Sequence, residues 1–544
     1  NAAAGTREIN VDNLNLTGTD ASNYKLTDGT HQMTVNPVVL NIHGTKVYDG
    51  DTTANVTDSE VSIQNLVTVG GVTEGLRFTG TGIAASKDVI PGNTTLSQNT
   101  LAIADQTHAA SNYTFSGATM TFNITEKAIN TNFARVYDGT NVVSNTNFTS
   151  ATGLIGSESI TMASGSGTVS TSDQNYSGSS VALDSTGSLA LGDGSNGGLA
   201  QNYTFSGGSH NLTISQRPLD MTGTKIYDGN TVGEVAELTL TNSSGASTGL
   251  VDGDSDGNFE TLSLGGNSVT IGSKDVANSP TTITNAASRL TKSNGSNGGL
   301  ANNYTFSGGT HTFTVTTKQV NFSRVYNDLS TVVGSNLNST LTTSDTVGSE
   351  TLTMTGTGSV GSQNYSGSSQ SITLGTLTLG NGTNGGLATN YSLSGSTLTI
   401  NKRPLNIDGS KTYDGNTDAA NSLLTLSNLA TDSSTGNAET LGLAGTSTIS
   451  SKNAGSRTIT NAASALTLSN GSNGGLANNY TFTGGTHNFT INTRPLTVSG
   501  TRQYDGTTVA SSTELSTLSN FVGSETVTLS GNGSVNSANV ANNY

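Results

Sequence analysis

Cysteine and tryptophan are absent from this chain, and only 11 % of its residues are charged. Without cysteine there are no disulfides, no thiol chemistry and no Cys-ligated zinc. That absence does not imply a cytosolic location. A chain exported unfolded is obstructed by early disulfides, so the lack of cysteine favours an exported bacterial surface chain. Cations are few: 21 Lys+Arg stand against 37 Asp+Glu, a formal charge of −16. Phosphate contacts need cations, which argues against nucleic acid as a partner. No basic amphipathic stretch suits a membrane surface. No apolar run reaches the length of about 18 residues that spans a bilayer, so this segment is not expected to insert directly into a membrane. No secretory leader is evident. The chain starts and stops inside repeats and reads as a segment of something longer.

What fills the 544 residues is Gly, Ser, Thr and Asn, with 68 Gly and 32 % hydrophobic residues. Disordered tails usually carry more net charge, and flexible linkers carry fewer β-branched residues. The composition fits short strands and many turns, with Thr and Val on pleated surfaces and Gly and Asn at positive φ.

The strongest signal is periodic. Tyr48-Asp49-Gly50, Tyr137-Asp138-Gly139, Tyr227-Asp228-Gly229, Tyr413-Asp414-Gly415 and Tyr504-Asp505-Gly506 repeat one motif, and Tyr326-Asn327-Asp328 is a decayed copy. Successive copies lie 89, 90, 99, 87 and 91 residues apart. An Asn-Tyr pair precedes each, at Tyr24, Tyr113, Tyr203, Tyr304, Tyr391 and Tyr480. A period near 90 is a small domain rather than a solenoid coil. All 15 tyrosines, Tyr544 included, fall in an Asn-Tyr or a Tyr-Asp/Asn motif. In a chain without Trp they are expected to be buried at core corners, with the ring inside and the hydroxyl partnered. The Asp and Gly after each tyrosine are expected to form a turn.

Period-two alternation predicts strands and essentially no helix. Tyr304 and Phe306 alternate with Thr, as do Phe313 and Val315. The Gly308-Gly309 pair between them predicts a β-hairpin. Middle strands are expected at Glu158–Met162, Glu260–Leu264, Glu350–Met354, Glu439–Leu443 and Glu525–Leu529. Pro37, Pro218, Pro404 and Pro495, four of the six prolines, share one repeat position. Proline suits an edge or an inter-domain seam, so the boundaries are placed there. The repeats alternate between two kinds. One carries Gln-Asn-Tyr-Ser-Gly at Tyr176 and Tyr365. The other carries Ser86-Lys87-Asp88, Ser273-Lys274-Asp275 or Ser451-Lys452-Asn453.

These readings predict an all-β tandem array of Ig-like β-sandwich domains forming an elongated rod, with a β-solenoid as the alternative. The expected repeats are 37–126, 127–215, 216–317, 318–401 and 402–492, flanked by partial repeats at 1–36 and 493–544.

The joint pattern runs Asn-Tyr-x-Phe-x-x-Gly, then Phe-Thr-Ile, Lys/Arg-Pro-Leu and Gly-Thr-Lys-x-Tyr-Asp-Gly. It resembles the YDG and MBG (mostly bacterial Ig-like) repeat families of bacterial adhesins, over nearly the whole chain. The resemblance implies exported surface proteins of the filamentous-haemagglutinin-like type, used as stalks or adhesive arms, with no catalytic residues to carry over. Asn327-Asp328 departs by losing the turn glycine.

Chemistry is sparse. His31, His210, His311 and His487 come one per repeat, too isolated for a metal site. Asp252, Asp254 and Asp256 partly match a calcium loop, but its twelfth position is Ser263 rather than Glu. They are a calcium candidate beside the simpler reading of a solvated acidic loop. Asn112, Asn202, Asn303 and Asn479 fall in Asn-x-Ser/Thr triplets and read as turn residues before glycan acceptors. A Lys–Asx isopeptide at the Ser-Lys-Asp motif lacks an identifiable Glu. No unrepeated, chemically dense segment suggests an enzyme.

The function expected is therefore a structural and adhesive stalk at the bacterial cell surface. It would give reach and multivalent attachment to a surface ligand, glycan or matrix component. A self-assembling extracellular filament is the alternative, and a carbohydrate-binding array a further one.

Overall fold

The computed structural model describes residues 4–58, 60–243, 247–253, 256–337 and 345–540. The chain is all-β, with 42 % of its residues in strands. The α-helices among the described residues are single turns, Ala286–Arg289, Gly334–Leu337 and Ala462–Ala465. One turn is too short to be stable alone, so tertiary packing must hold it. Short 3-10 turns also occur, and six of them end at the Asn of an Asn-Tyr pair, as at Ala200–Asn202 and Ala477–Asn479.

Two compact units are present. One comprises residues 1–222, 234–269 and 285–311, the other 223–233, 270–284 and 312–544.

In the first unit, Asn41–Val47 pairs in parallel with Met120–Thr125. Asn130–Val136 pairs in the same way with His210–Ser215. In the second unit, Phe322–Val325 pairs with Thr397–Asn401, and Asn406–Thr412 with His487–Asn492. The strand that opens a repeat thus lies beside the strand that closes it. Alternation sets which side chains turn inward. Leu40, Ile42, Phe122 and Ile124 form the first core, and Phe133, Leu212 and Ile214 the next.

A second, two-residue parallel ladder joins seams to Asn-Tyr pairs. Lys127–Ala128 lies beside Tyr203–Thr204, Arg217–Pro218 beside Tyr304–Thr305, and Arg403–Pro404 beside Tyr480–Thr481. Proline tolerates this outer position, which a central strand would refuse.

This pairing corrects the expected hairpin. Tyr304–Thr305 pairs with Arg217–Pro218 and not with His311–Thr316. The Gly308-Gly309 pair is a corner at which the chain leaves one ladder for another. Gly308 has φ +85°, and a Cβ on Gly309 would stand 1.8 Å from the Leu219 carbonyl. Gly308 thus supplies the positive φ of a turn, and Gly309 permits close backbone approach.

Four of the five middle strands form, at Ile160–Ser164, Leu262–Gly266, Leu352–Thr355 and Leu441–Thr448. Each pairs antiparallel with a later strand of its repeat, such as Ala190–Asp193 or Leu466–Asn470. Residues 525–529 do not form a strand, and Val527 is exposed. No described residue after 529 supplies the partner strand that the other repeats have.

Candidate functional site at the seams

Each Tyr-Asp-Gly corner is braced by a cation two residues before the tyrosine. Lys46 Nζ is withdrawn from solvent, 2.9 Å from Asp49, and donates to the carbonyls of Asp51 and Thr53. Arg135, Lys225 and Lys411 contact Asp138, Asp228 and Asp414 in the same way. The aspartate accepts a backbone N–H two residues on, as Asp138 does from Thr140. Gly50, Gly139, Gly229 and Gly415 have φ between +78° and +83°. A Cβ on Gly50 would stand 2.7 Å from Ile155 of the next repeat, and one on Gly229 2.5 Å from Val347. The glycine thus serves the turn and also a close contact across the seam.

The corner tyrosine reaches into the following repeat. Tyr48 donates to Glu158 Oε1 at 2.7 Å, and Tyr203 donates to Oε2 of the same carboxylate at 2.5 Å. Tyr137 and Tyr304 share Glu260 at 2.6 and 2.7 Å. Tyr227 and Tyr391 share Glu350, and Tyr326 and Tyr480 share Glu439. In each pair the rings meet edge to face with centroids 5.5–5.6 Å apart. The Asn-Tyr hydroxyl also accepts a backbone N–H, from Ile155, Val251, Val347 or Ala430. Every polar atom of the three-residue clasp is therefore used. A hydrogen bond to a charged group is worth roughly 1.5–3 kcal/mol and an edge-to-face pair about 0.5–1.5 kcal/mol. The cost of burying the carboxylate offsets part of that.

Burial, and then the bond to the carboxylate, raises the phenols of Tyr48, Tyr137, Tyr227 and Tyr304 above their ordinary range, and Tyr203 to about 12. Burial also raises the Glu260 carboxyl. These shifts move the tyrosines away from phenolate. The arrangement suits holding two repeats together better than moving protons.

The Asn of Asn-Tyr makes a second link. Its backbone ends a turn, as expected, but its side chain is buried against the preceding repeat. Asn202 Oδ1 accepts the Val89 N–H, and its Nδ2 donates to Asp88. Asn303 does the same with Tyr176 and Asn175, Asn390 with Val276 and Asp275, and Asn479 with Tyr365 and Asn364. The two kinds of internal motif therefore occupy one seat, each presenting an Asx oxygen and the next N–H to the same amide.

The kinds differ in where a cation comes from. Lys87 lies 3.9 Å from Glu158 and 6.0 Å from the Tyr48 ring centroid, and Lys274 is placed alike at Glu350 and Tyr227. The seams with Gln-Asn-Tyr lack that lysine. There Arg217 and Arg403 donate to the backbone carbonyls of Tyr137 and Tyr326.

At the decayed corner Asp328 keeps the left-handed turn, with φ +56°. Its buried carboxylate accepts from Gln363 on one oxygen, which lies 3.1 Å from the Tyr326 hydroxyl, and from the Ser433 amide and hydroxyl on the other. The lost glycine is replaced by an extra polar bond to the next repeat. Arg324 loses its carboxylate partner, because Asn327 stands in the aspartate's place, and burial lowers its guanidinium.

Asp252 accepts from the Gly257 amide, Asp256 from Asn258, and Asp254 lies outside the described residues, as does Tyr544. Among the described residues no three His, Cys, Asp or Glu side chains gather as for a metal ion. His210 and His311 open strands and bond the Phe205 and Leu219 carbonyls. Among the described residues Tyr504 completes no clasp, and it is exposed. The glutamates Glu158, Glu260, Glu350 and Glu439 went unread in the sequence except as strand starts. Their signal was present: five glutamates in phase, counting Glu525, in a chain with few charges.

Residues 401–487 match the family model described as the YDG domain. This stretch contains the Tyr413 corner, the Glu439–Tyr480 half of a clasp and the Asn479 link. No curated protein matches the chain.

Proposed function

We propose that this chain is a non-enzymatic structural and adhesive stalk segment of an exported bacterial surface protein. Its repeats are read as Ig-like β-sandwiches in tandem, placed outside the cell, with boundaries at the Lys/Arg-Pro seams. The observation that carries the reading is the recurring clasp. Four times a tyrosine from one repeat shares a buried glutamate with a tyrosine of the next. Independent binding modules on flexible linkers have no need of such a joint. A row of clasped repeats gives reach, and repetition multiplies weak contacts with a surface, glycan or matrix ligand.

The tyrosines that a carbohydrate array would expose are largely buried in clasps, which favours the stalk over that alternative. The test is electron microscopy of the purified chain beside a Glu260→Ala, Glu350→Ala double variant. Extended particles with a narrow distribution of bends, broadened in the variant, support the reading. Freely jointed beads in both would overturn it.

A further inference from the structure

Lys292 breaks a pattern that four other repeats keep. In those four, the middle strand and its later partner meet through an apolar pair: Phe78 opposite Ile103, Met162 opposite Leu191, Met354 opposite Leu379 and Leu443 opposite Leu468. In the repeat 216–317 the pair is Leu264 and Lys292. The position is half-buried in all five repeats, and Ile103 and Leu191 pack there against the core. A lysine in such a place loses hydration at its amine and needs an acid or an acceptor beside it. The withdrawn lysines of the corners, Lys46, Lys225 and Lys411, each have an aspartate. Lys292 has none: burial lowers its amine below the ordinary lysine range, and no carboxylate among the described residues acts against that shift.

A second cation accompanies it. Residues 285–292 and 461–468 are identical except that Arg289 stands for Ala465 and Lys292 for Leu468. Both differences add positive charge, in a chain whose formal charge is −16. Arg289 ends the helical turn that also carries Ala287.

Beside these residues lies a cavity of about 340 Å³ lined by Ala287, Leu290, Thr291, Lys292, Thr305 and Phe306. Leu290 and Phe306 are buried. Phe306 rests edge to face on His311, whose Nε2 bonds the Leu219 carbonyl, so the apolar wall is held in place. Small-molecule sites usually measure about 300–1,000 Å³, so this one fits a compact ligand. A neutral apolar molecule would leave the amine unpaired. A small hydrophilic anion would leave the wall wet. The complement to both is a molecule with an apolar body and one negative end.

We propose that this cavity binds a small apolar carboxylate of the medium-chain fatty acid class. Its body lies against Leu290 and Phe306, and its carboxylate accepts from the Lys292 amine. Thr291 and Thr305 are the polar neighbours. The ligand supplies the counter-ion that the fold does not, which is why the lysine is tolerated where other repeats carry Ile or Leu. The inference does not rest on the stalk reading.

Isothermal titration of the full chain with octanoate tests it, beside octanol (the body without the charge) and acetate (the charge without the body). One saturable octanoate site per chain is expected. Octanol and acetate should each bind more weakly, by on the order of tenfold or more. Lys292→Leu installs the residue of the repeat 402–492, so the variant should fold, and an unchanged circular dichroism spectrum would verify it. That variant should bind octanoate no better than octanol, whereas Lys292→Arg, which keeps the charge, should retain the preference. Hydrogen exchange locates the ligand: octanoate should slow the amides of Leu290–Asn294 in the parent chain and not in Lys292→Leu. No saturation below about 10 mM octanoate, equal binding of octanoate and octanol by the parent chain, or octanoate binding unchanged in Lys292→Leu would overturn the proposal.

Discussion

Tyr137 and Tyr304 belong to successive repeats, yet their rings meet edge to face at 5.6 Å and both hydroxyls end on Glu260. Tyr304 finds Glu260 and the Val251 N–H in its own repeat, whereas the Tyr137 hydroxyl is satisfied only by the repeat that follows it. The seam is therefore part of the folded core, and substitutions there should act on two repeats at once.

Glu439→Ala removes the shared acceptor of Tyr326 and Tyr480, and Glu439 is fully buried. Two stranded hydroxyls are expected to cost about 2–5 kcal/mol. Long arrays do not unfold as one unit, so hydrogen exchange is the measurement to make. Protection should fall on both sides of that seam and remain at the Tyr48–Glu158 seam.

Asn390→Ala tests the second link. The Val276 N–H and the Asp275 side chain would lose their partner. A loss of about 1–3 kcal/mol is expected, seen as faster exchange of the Val276 amide. An equally protected amide would count against the link. The same burial predicts that a glycosyltransferase given folded chain leaves Asn202, Asn303 and Asn479 unmodified, by mass spectrometry.

Asp328→Gly restores the repeated motif yet should destabilise the chain. The glycine relieves a non-glycine left-handed turn but deletes the acceptor of Gln363 and Ser433. A net loss of about 1–3 kcal/mol is expected. An increase in melting temperature would mean that turn strain outweighs those bonds.

Alkaline pH should loosen the clasps. Their phenols ionise at higher pH folded than unfolded, where tyrosine titrates near 10. The folded state then holds more protons above that value, so stability falls as pH rises. The contribution is complete below about pH 10 and is lost as pH climbs toward the raised values, about 12 for Tyr203. Melting temperatures from pH 8 to 12 would check this, and a Tyr203→Phe variant should show a shallower decline.

Much of this was legible in the sequence because the repeats print the same local rules several times. Tyrosines such as Tyr48 and Tyr227 are buried corners, the Asp and Gly after them make the turn, and strands follow the alternation. Non-local pairing was not legible. Tyr304–Thr305 and His311–Thr316 look like hairpin arms, but their partners lie at Arg217–Pro218 and elsewhere, and no periodicity encodes that choice. Residues 525–529 have a strand's pattern and lack a strand's neighbour. The glutamates were visible as a phase, but the phase could not say that two tyrosines from different repeats converge on each one. Asp328 read as the loss of a glycine because the partner it gains, Ser433, lies in another repeat.

The parallel ladder between the opening and closing strands has a mechanical consequence. Tension along the chain enters a repeat at the start of one strand, such as Asn406–Thr412, and leaves at the end of its neighbour, His487–Asn492. The two are drawn past each other in opposite directions along their length. Their hydrogen bonds lie across the pull and share it, so they must fail together rather than one by one. Repeats wired this way resist stretching in shear, and their lifetime under load is set by an unfolding rate rather than by equilibrium stability.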